Sequence, residues 1–485
     1  MRVMLEEILL IMKYLFHFNL IYIMKYDFII IGGGISCLYF LKKMKDSGLK
    51  IAILEKKPNV GGRIKTVKIG DDIIDTGSLR FTKNHKILLK LLKEYNINDI
   101  LPLVSKIDVK IGKDLMKKIK KFLGMCKNKK YQMYAFGEVA KNYFTEKEYE
   151  TFKLWFGYDY EWDNMNCQLL AKTLMEDYDA KNYFHLQNGL SQLPNAMYEE
   201  LKEVFDFHLG EKVKKISEGN NVYTASGKHF TADKIIFACP PHYIKHIDGT
   251  HELDVTLSAI GELVLNRMYA KFKDGSWFPD KVWHSHKPIS QTVPINDNII
   301  MISYSTNNDA KFWIEKEMNG SLWKELKEEL GMDLEKPEWI KQNYWNPATH
   351  FYNPGFDPEK MQEISFKPLE KREWYIIGEA FSLRQGWIEG ALENTELFHK
   401  KYVSGKFGVN EKKFSMSEVK KHNKDDDAWI VLFGNVYDIT DWIKIHPGGD
   451  VIKYGIGKDA TEMFLGVGHQ EDAMHFLNNY KIGII

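Results

Sequence analysis

The chain has 485 residues, 44% hydrophobic and 27% charged, a globular composition long enough for two or three cores, which excludes disordered and fibrous classes. Sixty-seven Lys and Arg against 66 Asp and Glu leave a formal charge of +1, so no overall field recruits nucleic acid or an anionic membrane. Four cysteines without a CxxC pair, Cys37, Cys126, Cys167 and Cys239, fit neither a disulfide framework nor a zinc site and point to a reducing, cytoplasmic setting.

Six Arg stand against 61 Lys. Where composition drives basic positions to Lys, a retained Arg marks a need for its planar fork of donors; Arg63, Arg80, Arg267 and Arg384 are singled out on that ground. Residues 9–24 are largely apolar, but Lys13, His17 and Asn19 interrupt them and a span takes about 20 residues. The reading is an apolar extension over 1–23, either an added helix or sequence ahead of a natural start at Met24, with no membrane role expected.

Residues 26–31 form an apolar run expected of a parallel strand buried on both faces, and Gly32-Gly33-Gly34-Ile35-Ser36-Cys37 follows at once, opening a helix through Met44. Gly32 permits the tight turn and Gly34 lets backbone approach a pyrophosphate at the helix N-terminus; Cys37 stands where a third glycine is usual. A second strand over 50–54 ends in Glu55, placed to accept both hydroxyls of an adenosine ribose. Val60-Gly61-Gly62-Arg63-Ile64-Lys65-Thr66 and then Asp75-Thr76-Gly77-Ser78 complete the segment.

On these residues the chain resembles the flavin-dependent amine oxidases, in which a GGRxxT segment sets backbone and an Arg beside the FAD phosphates. Asn188-Gly189-Leu190-Ser191-Gln192-Leu193-Pro194 is similar to that family's GGxxxLP segment with Asn188 for the first Gly. Strands are expected at 213–216, 222–225 and 231–241, and the resemblance brings backbone near Val213 to the adenine. Residues 374–380, containing Gly378 and Glu379, read as a buried strand, and Gly386-Trp387-Ile388-Glu389-Gly390-Ala391 opens a helix. The resemblance implies FAD contacts from Gly32, Gly34, Ser36, Glu55, Gly62, Arg63, Val213, Gly378, Glu379 and Ala391. It makes Trp387 an aromatic wall before the flavin, and puts Arg267, on a strand over 263–277, where a Lys is usual near N5. These last two are the catalytic candidates. The aromatic run 152–162 with Asp159, Glu161 and Asp163 is either an amine-attracting funnel or packed core, and the basic stretch 117–130 reads as a solvated helix face.

From Phe414 onward the character changes: Ser417-Glu418-Val419-Lys420-Lys421-His422-Asn423 is followed by Ala428-Trp429-Ile430-Val431-Leu432-Phe433-Gly434-Asn435-Val436-Tyr437-Asp438-Ile439-Thr440, and on these residues the chain resembles cytochrome b5. Two strands meet at Gly434-Asn435, and His446-Pro447-Gly448-Gly449 supplies a loop whose glycines lie against a porphyrin. The resemblance implies haem b ligated by His446 and by His469, twenty-three residues on, with His475 the competitor for the second position; two imidazoles leave no open site on iron.

The expected fold class is multidomain α/β and α+β. An apolar extension (1–23) precedes an amine oxidase-like domain (24–405), whose Rossmann-like FAD-binding parts are 24–85, 186–249 and 370–405 and whose substrate parts are 86–185 and 250–369. A small α+β haem domain (412–485) ends the chain. The expected function is a flavocytochrome that oxidises an amine or related small molecule by hydride transfer to flavin and passes electrons to haem, oxygen or a redox protein. The alternatives are a flavin isomerase or desaturase, and a non-catalytic electron carrier.

Overall fold

The computed structural model describes residues 25–178, 183–278, 280–404, 413–443, 446, 448–467, 477 and 480–485. Two compact units result, the larger made of Met1–Lys45 and Leu49–Lys401, the smaller of Asp46–Gly48 and Tyr402–Ile485. The expectations for residues 1–23, His469 and His475 lie outside the described residues. Among those described, no helix is long and apolar enough to cross a membrane, and all four cysteines are free.

The larger unit is organised by a seven-stranded sheet. Lys25–Ile31 runs parallel to Ile51–Glu55 on one side and to His229–Phe237 on the other; Asp206–Leu209 extends the first edge and Trp374–Ile376 joins the second, both parallel. Ile29 and Ile30 are fully buried, as a strand covered on both faces requires. The strand expected over 231–241 ends at Phe237, because Ala238-Cys239-Pro240 turns away and Pro241, which has no N–H to donate, starts the helix Pro241–Lys245. The run expected over 374–380 stops at Ile376 for a local reason: Gly378 sits at φ +128°, a conformation that ends the ladder and aims Glu379 inward.

A five-stranded antiparallel sheet forms the second layer, with Ile260–Lys271 between Ile299–Thr306 and Trp339–Tyr352. Against it pack the helices of residues 113–173. Phe122, Phe136, Phe152 and Trp162 are fully buried and meet edge to face, so the aromatic run is chiefly core. Helix Lys113–Cys126 buries Ile119, Phe122, Leu123 and Cys126 and leaves its lysines largely outside, the solvated face expected.

In the smaller unit Asp427–Leu432 and Asn435–Asp438 form a hairpin. Its two-residue loop has Phe433 at φ +52° and Gly434 at φ +77°, the left-handed pair that matches strand twist. Lys481–Ile484 completes the sheet over a core of Ile430, Leu432, Tyr437 and Ile439.

Candidate active site

The carboxyl ends of the parallel strands open on a cavity of about 330 Å³, within the range of small-molecule sites. Every residue the sequence offered for FAD lines it: Gly32, Gly34, Ser36, Glu55, Gly62, Arg63, Val213, Gly378, Glu379 and Ala391. A Cβ at Gly32 would stand 2.8 Å from the Ala238 carbonyl oxygen, whereas one at Gly34 would meet nothing within 4 Å. The first glycine therefore serves the turn and the second leaves open space for a ligand. Glu55 is 6% exposed, its carboxylate accepting from the Gly33 N–H at 2.7 Å and the Lys57 N–H at 2.8 Å. The residues fit a dinucleotide. Sequence reading missed His242, Tyr243 and His246, which line the same cavity from a short helix that carries no motif.

Glu55→Ala is expected to weaken FAD retention by roughly 1.5–3 kcal/mol, the worth of a hydrogen bond to a charged group, measured by titrating FAD into the apoprotein; unchanged affinity would remove Glu55 from the site. The flavin is expected to be held without a covalent bond. Pro347 and Ala348 line the cavity, and the one cysteine among its described lining residues, Cys239, has its thiol pushed up to about 12 by burial, which withholds the reactive thiolate. Denaturation followed by filtration should release all the yellow colour; colour retained by the precipitate overturns this.

Glu379 is the best-connected carboxylate of the site. It accepts from Arg63 Nη1 at 2.7 Å, from His350 Nδ1 at 2.7 Å and from the Gly386 N–H at 2.7 Å. Burial pushes its carboxyl up, but Arg63 and His350 overcome that and hold it well below the usual carboxylate range. Arg63, which the resemblance implied beside the FAD phosphates, directs Nη1 to Glu379 and to the Ala348 carbonyl at 2.8 Å.

A second cavity of about 110 Å³ adjoins the first, and Arg63, Ser78, Trp345 and Trp387 line both. Arg267 reaches it from the middle of Ile260–Lys271, donates Nη1 to the Gly77 carbonyl and lies 5.2 Å from the Tyr304 ring. Trp387 is stacked on Tyr183 at 6.1 Å and stands at the N-cap of helix Ile388–Phe398, where the sequence expected a helix to open. Arg80, Glu161 and His350 also line this cavity. Glu161 belongs to the aromatic run; nothing in the sequence marked His350. Arg384 instead pairs with Glu176 and Glu393.

Several motif residues hold the frame. Thr66 Oγ1 donates to Asp75 at 2.5 Å, the Leu190 N–H donates to the same carboxylate at 3.1 Å, and the Thr66 N–H donates to Ser191 Oγ at 2.8 Å. The GGRxxT, DTGS and NGLSQLP segments are thus pinned to one another around a buried Asp75, whose carboxyl burial pushes up to about 7. Glu389 accepts from the Ile87 and Leu88 N–H groups at 2.8 and 2.9 Å and so caps helix Lys86–Glu94.

In the smaller unit the His446 ring nitrogen Nδ1 lies 3.2 Å from the Gly449 carbonyl. A carbonyl only accepts, so Nδ1 carries the N–H in that contact, the arrangement in which a histidine's other ring nitrogen serves as a metal ligand. A Cβ at Gly448 would come within 2.8 Å of His446 Cε1, which accounts for the glycine. Met463, Leu465 and Val467 are 49–62% exposed, apolar surface suited to a porphyrin, so the described residues fit haem.

The profile of the flavin containing amine oxidoreductases matches residues 38–121 and 128–394, and that of the cytochrome b5-like haem/steroid binding domain matches 415–485. Solved structures of putrescine oxidase, a double mutant and the wild type bound to putrescine, share the fold of the larger unit with TM-scores of 0.63 at 15% and 14% identity; each match covers 77% of this chain and 98% of theirs. Cytochrome b5 of Drosophila melanogaster is 47% identical over 73 residues, 15% of this chain and 54% of that protein. A nitrate reductase of Betula pendula is 48% identical over 86 residues, 17% of this chain and 10% of that protein. The chain thus spans about a tenth of that nitrate reductase and about half of that cytochrome b5. It belongs to the flavin containing amine oxidoreductases, a family of FAD-dependent oxidoreductases, and carries a cytochrome b5-like domain at its C-terminal end. FAD and haem are the cofactors these two domains bring.

Proposed function

We propose that this chain oxidises a small amine and passes the electrons to its haem, to oxygen or to a redox protein. The observation that supports this best is the shared wall: a cavity fitted for FAD and a smaller one meet at Trp387 and Trp345, so a bound molecule can lie against the cofactor. FAD supplies a two-electron acceptor for hydride, and a bis-histidine haem a one-electron carrier closed to oxygen.

The chain's own residues supply the setting. Trp387, Tyr158 and Tyr304 wall the smaller cavity and exclude water. The Arg267 guanidinium fixes a positive potential there. Arg63 and His350 keep Glu379 ionised beside the larger cavity, and the N-terminus of helix Ile388–Phe398 adds positive potential there. His446, with Nδ1 engaged, would hold the haem iron through Nε2.

Anaerobic mixing with a panel of amines and amino acids, followed at flavin and haem wavelengths, is the test. Net reduction of both chromophores is expected with at least one compound. Turnover without net reduction makes the protein an isomerase, and no response to any compound makes it a carrier; either outcome overturns the proposal.

A further inference from the structure

One face of the antiparallel sheet donates to three consecutive backbone carbonyls beside the two cavities. The Tyr269 hydroxyl donates to the Asp75 carbonyl at 2.6 Å, Trp345 Nε1 to the Thr76 carbonyl at 2.7 Å and Arg267 Nη1 to the Gly77 carbonyl. Arg267 and Tyr269 are two residues apart on Ile260–Lys271, and side chains at that spacing leave a strand on the same side. Lys271 continues the row: its Nζ meets Asp72 at 2.8 Å, and Trp339 Nε1 donates to the same carboxylate at 3.1 Å.

The N–H groups of this segment are engaged on its other side. Those of Thr76 and Gly77 donate to the Lys65 carbonyl at 2.9 and 3.2 Å, and that of Ser78 donates to the Arg63 carbonyl at 3.0 Å. A Cβ on Gly77 would stand 2.0 Å from the Arg63 carbonyl oxygen, so no side chain fits between the two segments. Residues 75–77 are buried, where a carbonyl without a donor is destabilising; the fold meets all three with side chains that cross from the other layer. Burial pushes the Tyr269 hydroxyl up to about 12, so it stays a donor.

What the segment carries is a wall. Gly77, Ser78, Leu79 and Arg80 line the smaller cavity, and Ser78 lines the cofactor cavity as well, whereas Tyr269 and Lys271 line neither. We propose that Tyr269, Trp345 and Arg267 are positioning residues that fix where this wall stands between cofactor and substrate, Tyr269 acting from outside both cavities. A misplacement of about 1 Å can cost on the order of 10²-fold in rate, so a wall shared by two reactants needs such bracing. The claim rests on the reading that flavin lies against the shared wall; it does not depend on what is oxidised.

Four variants of the FAD-loaded full chain test it. Tyr269→Phe removes one hydroxyl and keeps the ring. It is expected to hold FAD at wild-type stoichiometry but to change the visible circular dichroism of the bound flavin, which reports the asymmetry of the ring's surroundings. Thr292→Val is the control: Thr292 is 1% exposed, lines neither cavity and donates Oγ1 to the Ile302 carbonyl at 3.0 Å within the same sheet. Both variants should lower the melting temperature by a few degrees, and only Tyr269→Phe should move the flavin signal. Lys271→Met opens the next rung and should move it in the same sense by less, a second check if Tyr269→Phe folds poorly. Ser78→Val alters the wall itself. If Ser78→Val changes the signal while Tyr269→Phe and Lys271→Met do not, the bracing is overturned and the shared wall stands. If none of the three changes it, flavin does not lie at that wall and both readings fail. An equal change with Thr292→Val also overturns the proposal, because any lost buried hydrogen bond would then suffice.

Discussion

Glu379→Ala is expected to cost the larger unit about 3–5 kcal/mol of stability, the usual result of breaking a buried ion pair from one side, together with most of its FAD. Glu379 is 6% exposed, and three donors converge on it: Arg63 and the His350 ring, both at 2.7 Å, and the Gly386 N–H, also at 2.7 Å. Removing the carboxylate leaves all three facing each other across the end of the cofactor cavity, and the Arg63 guanidinium loses its counter-ion. The wild type also gains a pH dependence with a definite sign. The folded-state pKa lies below the ordinary 4.5, so the unfolded chain binds more protons at Glu379 than the folded chain does, and stability rises with pH in that window. The contribution is fully present above about pH 4.5 and is lost as pH falls towards the depressed folded value. Urea melts of the apoprotein at neutral and acid pH check this: the gap between wild type and Glu379→Ala should narrow on acidification. A gap that is constant or widens would show that the carboxylate is not the ionised partner described here.

His446→Ala is expected to abolish the low-spin haem spectrum entirely while FAD content and flavin reduction stay at wild-type levels. The two units draw on separate cores, the smaller on the hairpin of Asp427–Asp438 and the larger on the parallel sheet headed by Lys25–Ile31. His446 Nδ1 is engaged with the Gly449 carbonyl, so its Nε2 is the atom lost. In the wild type both cofactors are on one chain, and tethering gives an effective concentration on the order of mM. Reduction of haem after flavin should therefore follow a rate independent of protein concentration in anaerobic stopped-flow. A rate that scales with concentration would make the haem a partner between molecules; haem that stays oxidised beside fully reduced flavin would leave oxygen or another protein as the acceptor.

What could be read from the sequence was whatever local chemistry dictates. Gly32 and Gly34 announce a strand-to-helix turn because backbone at those two positions must either bend or stay bare. Glu55 was legible through its distance from that turn, and HPGG through the need for a loop without side chains beside His446. Trp387 was legible as the residue opening a helix after a buried strand. The boundaries at Phe237 and Ile376 were not, because an apolar run does not reveal where a Pro-rich turn or a glycine at positive φ ends its pairing.

The constellation of the smaller cavity was decided by the tertiary structure alone. Arg80, Glu161, Arg267 and His350 come from four segments spread over some 270 residues of chain, and no local spacing relates them. The scarcity of Arg drew notice to two of them, but only the packing of the helix Asp159–Asn164 over the antiparallel sheet brings Glu161 and His350 to the same space. The GGRxxT and DTGS motifs show the converse. Sequence marked Thr66 and Asp75 as part of a binding signature, whereas the fold spends them on each other and on Leu190. A motif records which residues are needed at a spacing; whether they face a ligand or brace its cradle is set by which neighbours the fold leaves within hydrogen-bond reach.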